Sequence, residues 1–230
     1  MNNVFAAPLA SAPVEARVEY LKKVALYTLL GLFIAGVSSA FSALFIAPYV
    51  LGSTVAYGVV FFGSFGIAYY VAPKWVFGSN KWLGFLAGTI AEGIAMGVLL
   101  LIAIMVGIDS GAGAFALIGE ALGLTALACF GILAYIWSNP RELSAVKALL
   151  SALFVPMLLL MGLTFMFPIG GLMGTLIAGA FVIISVLGLL YQTNKVLHEL
   201  HSDMHLEGAY LITLGVLVLF WNLLSLLTRR

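Results

Sequence analysis

The chain has 230 residues, of which 63% are apolar and only 8% are charged, with a formal net charge of +1. A soluble domain of this size has no way to hide so much apolar surface, whereas a bundle of membrane-spanning helices leaves it facing lipid. With near-neutral charge and no basic patch, nucleic acid is excluded as a partner, and the lone Cys129 excludes disulfides and cysteine metal clusters within one chain.

Residues 1–23 read as a polar N-terminal tail: Ala-Pro steps and Glu15, Arg17 and Glu19 give it no long apolar face. From residue 24 to 230 the chain reads as a single transmembrane domain. About 20 apolar residues cover a hydrocarbon core of roughly 30 Å, and seven runs of that kind follow. They extend from near Val24 to Phe45, Tyr49 to Ala72, Trp82 to Val106, Ala112 to Trp137, Ala148 to Phe167, Gly170 to Tyr191 and Ala209 to Thr228. The expected fold is an all-α integral membrane protein, a seven-transmembrane-helix bundle. Breaks are expected at Ala47-Pro48, at Ala72-Pro73-Lys74, between Gly107 and Gly113, at Ser138-Asn139-Pro140-Arg141 and at Phe167-Pro168. Pro156 would kink the fifth span.

Short loops rich in Lys and Arg stay in the cytoplasm. A cytoplasmic N-terminus with seven spans places Arg17, Lys22, Lys23, Lys74, Lys81, Arg141, Lys147 and Lys195 on that side, and Arg229 and Arg230 outside. Those last two arginines suit better a six-span alternative with a re-entrant final segment.

Gly84, Gly88, Gly93 and Gly97 in span three, and Gly31, Ala35 and Ser39 in span one, present small residues at helical spacing. Such faces let backbones approach closely in lipid. Packing within the chain is the expected use, and homodimerisation is the alternative.

Ionisable groups at membrane depth are expensive and are candidate functional residues for that reason. Glu92 falls about ten residues into span three and Glu120 about eight into span four, with no Lys, Arg or His at comparable depth. Facing one cavity, the two carboxyls would be protonated, share a proton or hold a cation. The plainer reading makes each a hydrogen-bonded carboxyl, or lets Glu120 reach the outer interface. Asp109 reads as a loop acid. His198, His201 and His205 would share one face if their loop were helical, and could then bind Zn²⁺, but the spacing is no specific zinc signature. A polar linker is the preferred reading, so no metal or cofactor is assigned. No nucleophile elbow, phosphate loop or His-Glu-x-x-His pattern occurs, so the chain is not expected to be an enzyme.

Leu190-Tyr191-Gln192-Thr193-Asn194-Lys195-Val196-Leu197-His198, Ala209-Tyr210, and Phe220-Trp221-Asn222-Leu223-Leu224-Ser225-Leu226-Leu227 resemble the last two spans of the Bax inhibitor-1 family. Ala134-Tyr135 with Asn139, Arg141, Glu142 and Leu143-Ser144 resembles the loop after that family's fourth span. The resemblance implies a seven-helix protein of a bacterial cytoplasmic (inner) membrane, connected with stress responses. Its function would be a pH-influenced leak of Ca²⁺ or other cations, or non-conducting regulation of a membrane protease or another membrane complex. Channel-type members carry a proton-sensing aspartate in span six and another in span seven. Here the span-six position is Gln192, and counting back from Asn222 puts Leu219 at the other. Either Glu92 and Glu120 have taken over, with Gln192 and Asn222 as polar neighbours, or the chain does not conduct. Gln192 and Asn222 are also expected to hydrogen-bond across spans six and seven, a contact worth about 0.6 kcal/mol.

Overall fold

The computed structural model describes residues 13–138, 143, 146–153, 156 and 171–229. Within them the chain forms α1 (Val14–Phe45), a short α2 (Ala47–Val50), α3 (Thr54–Val76), α4 (Lys81–Asp109), α5 (Ala116–Ser138), α6 (Gly171–His198) and α7 (His205–Leu227). Among the described residues six helices, all but α2, are long and apolar enough to cross a membrane. The expected fifth span, from Ala148 to Phe167, lies largely outside the described residues, as do the Asn139-Pro140-Arg141-Glu142 and Phe167-Pro168 breaks.

Large apolar side chains recur along the outside of α1 at helical spacing: Leu26, Leu29, Phe33, Val37, Phe41 and Leu44 are all exposed. Water would not tolerate such a stripe and hydrocarbon does. At the centre of the bundle stand α4 and α7, each 56% buried over its apolar window, against 17–22% for the other four.

Small residues bring the helices together. The most extensive contact of α1 is with α4, where Gly93 meets Ala35 and Ser38, and Gly97 meets Ser39 and Ser42. A Cβ on Gly93 would sit 2.6 Å from the Ala35 carbonyl oxygen. At that approach the Ser42 hydroxyl donates to the Ile94 carbonyl across the interface, at 2.7 Å. Gly88 seats the Tyr210 ring of α7, and Gly84 lies under Ala72 and Val76 of α3. The small-residue faces therefore do pack within the chain.

Two expectations change at helix ends. The stretch assigned to the tail already becomes helix at Val14, with residues 1–12 outside the description. The reason is Tyr20 and Val24, one turn apart and almost wholly buried, which join Leu206, Ala209 and Tyr210 in a cluster. The break expected at Ala72-Pro73 is instead a π-helical segment, Ile67–Val71, after which the helix runs on to Val76. At the far end of α4 the turn to α5 is made by Gly111 and Gly113, whose φ values of 74° and 104° suit glycine.

Candidate functional site

Pro73 organises the centre of the bundle. In a regular α-helix the Ala68 carbonyl would accept from the N–H of residue 72, but here Ala72 bonds back to Ile67. The next donor along would be residue 73, and proline has no N–H. The Ala68 carbonyl is thus left without a backbone partner inside a buried segment, and the Tyr210 hydroxyl of α7 donates to it at 2.5 Å. Single π-turns of this kind concentrate at functional sites.

Beside this clasp lies Glu92. Its side chain is 8% exposed, and it sits about 16 Å along α4 from Lys81, near the middle of the helix. The groups that interact with it electrostatically are the Tyr69 and Tyr210 phenols. The Tyr69 hydroxyl is fully enclosed, close to the carboxyl, yet closes no hydrogen bond of normal geometry. One acid, two phenols and a freed carbonyl make up the centre. Sequence reading found the acid; the phenols look like ordinary membrane aromatics until α3 and α7 are placed against α4.

Glu120 does not belong to this centre. It is exposed and lies in the second turn of α5, about 6 Å from that helix's start, whereas Glu92 lies about 25 Å from the same end of α4. The two carboxyls differ in depth by roughly 20 Å. The expectation that the two carboxyls face one cavity rested on a third span ending at Val106 and a fourth starting at Ala112; α4 runs on to Asp109 and the glycine turn delays α5 to Ala116.

Gln192 and Asn222 are likewise apart. The Gln192 Oε1 presses on Gly215 of α7 and has no hydrogen-bond partner. The Asn222 side chain donates to the Val218 carbonyl of its own helix at 3.0 Å. The residue that meets Gln192 on α7 is therefore Gly215, one turn before Leu219, which is itself fully buried. By either placement no carboxylate faces Gln192.

One polar contact had no sequence signal. Lys81, at the start of α4, pairs with Glu207 in the first turn of α7 at 2.6 Å, and Glu207 is only 2% exposed. In the sequence Glu207 belongs to a charged turn and reads as a solvated acid. Close by, His205 stacks on Tyr27 at 5.5 Å between ring centres. His198 closes α6, His201 lies in the turn and His205 opens α7, so the three imidazoles share no helical face. Among the described residues no group of three or more His, Cys, Asp or Glu is placed to hold a metal ion.

The family model described as inhibitor of apoptosis-promoting Bax1 matches residues 17–230. The chain belongs to the Bax inhibitor-1 family. A relative in Pasteurella multocida (strain Pm70), an uncharacterized protein, is 32% identical over 120 residues, which cover 52% of this chain and 53% of the relative. The match thus spans about half the length of that protein. No solved structure matches the chain with significance.

Proposed function

We propose that this Bax inhibitor-1 family protein is a pH-influenced leak pathway for cations, Ca²⁺ among them, controlled at Glu92. The observation that carries the reading is a carboxyl at mid-bundle on one of the two most enclosed helices, faced by two phenols, where its cost is hard to explain by packing alone. The test is influx into liposomes loaded with a Ca²⁺ dye, at several pH values, for the wild type and Glu92→Gln. The expected outcome is influx that falls to the level of empty liposomes in the variant. Unchanged influx in the variant removes Glu92 from the pathway, and no influx at any pH from folded wild type overturns conduction.

A second reading, a non-conducting regulator of a membrane protease or another membrane complex, is favoured by one observation. Where a proton-sensing pair would be needed, an amide abuts a glycine. It predicts co-purification with a membrane partner, and a contact through the N-terminal segment predicts that deleting residues 1–12 loses that partner.

The topology we propose is seven crossings in a bacterial inner membrane, with the N-terminus in the cytoplasm. The Lys81–Glu207 pair holds the start of α4 and the α6–α7 turn at one end of the bundle. The α4–α5 turn lies at the other, and α5, about 33 Å long, leads back toward Lys81. Ser138 and Gly171 then lie at opposite ends, which supports one further crossing between them. The excess of Lys and Arg at the Lys81 end supports the orientation.

A further inference from the structure

Resting on the Glu92 reading above, we infer that the ligand which neutralises Glu92 is a proton, that Tyr69 is its positioning partner, and that no metal ion binds there. Charge is the first argument. Of the elements packed around Glu92, α1 brings no Asp, Glu, Lys, Arg or His between Val24 and Phe45, α3 brings Tyr69, and α7 brings Tyr210. The nearest other acid on α7 is Glu207, one turn nearer Lys81 and already paired with it. One carboxylate is therefore the whole negative charge of the centre. A divalent ion would leave a surplus positive charge buried among apolar helices, which is strongly unfavourable.

Oxygen supply is the second argument. Ca²⁺ takes six to eight oxygen ligands. Beside its own two carboxyl oxygens, the groups that interact with Glu92 electrostatically bring two phenol oxygens, and the nearby Ala68 carbonyl already accepts from Tyr210. These interacting oxygens fall short of a Ca²⁺ shell, while a proton needs one. On uptake, one O–H bond of hydronium breaks, its proton bonds to one carboxylate oxygen, and a water molecule is released. The Tyr69 hydroxyl, enclosed beside the carboxyl, donates to the remaining carboxyl oxygen.

The experiment is infrared difference spectroscopy of the full chain in lipid nanodiscs, stepped between alkaline and acid pH. The expected result is a protonated-carboxyl C=O band on acidification that vanishes in Glu92→Gln. It is retained in Glu92→Asp, moves to higher frequency in Tyr69→Phe, and is untouched by Ca²⁺ or Na⁺ at constant pH. A band that persists in Glu92→Gln overturns the assignment. A band that Ca²⁺ or Na⁺ abolishes shows a metal ligand and overturns it too, and an unmoved band in Tyr69→Phe overturns the role of that tyrosine. The readout is independent of flux: a Glu92 band without influx refutes the leak and keeps the proton site, whereas Glu92-dependent influx without the band does the reverse.

Discussion

At Pro73 a missing N–H decides the local geometry. It leaves the Ala68 carbonyl to Tyr210, so Tyr210→Phe strands a buried acceptor. The expected cost is roughly 1–3 kcal/mol, read as a lower midpoint in SDS-driven unfolding from mixed micelles. Pro73→Ala restores a backbone donor at that point. The two changes should therefore be coupled, with Tyr210→Phe costing about 1 kcal/mol less in the Pro73→Ala background. Additive effects would show that the carbonyl is not what the tyrosine serves. Gly93→Val drives a side chain into the Ala35 backbone and is expected to cost at least roughly 1–3 kcal/mol by overpacking, measured by the same unfolding midpoint. At this scale the sequence revealed Glu92 because a carboxylate in an apolar run is visible by contrast. Tyr69 and Tyr210 were hidden because their meaning comes from partners far away in the chain.

Helices show the same division. The α1–α4 contact was legible, since small residues four apart form a face whatever lies opposite, and Gly93 and Gly97 do meet Ala35, Ser39 and Ser42. The Lys81–Glu207 link was not, because burial of Glu207 depends on α4 lying beside α7. Lys81→Met leaves that carboxylate enclosed and unpaired. A loss of roughly 1–3 kcal/mol is expected, below the full value of a buried pair because Lys81 is 40% exposed. Adding Glu207→Met should recover much of the loss, since an apolar pair replaces an unpaired charge; a double variant as unstable as the single would argue against pairing as the cause. The helix through Pro73 escaped the sequence reading for a related reason. Proline forbids one bond of the ladder, and a π-turn followed by capping from another helix supplies an answer that composition does not encode.

For the whole molecule, composition alone indicated membrane helices, because 63% apolar residues leave few other solutions. The proposed seven crossings put residue 17 and residue 229 on opposite sides. Single cysteines at those positions, in a Cys129→Ser background, should react with a membrane-impermeant maleimide from opposite faces of sealed vesicles; reaction from the same face would favour six crossings. The central position of α7 has a further consequence, for biogenesis. Because α4 is made before α7, it exposes during synthesis surfaces that α7 will cover: Gly88 awaits Tyr210, and Lys81 awaits Glu207. Until α7 is made, those groups of α4 stand without the partners that the folded bundle gives them.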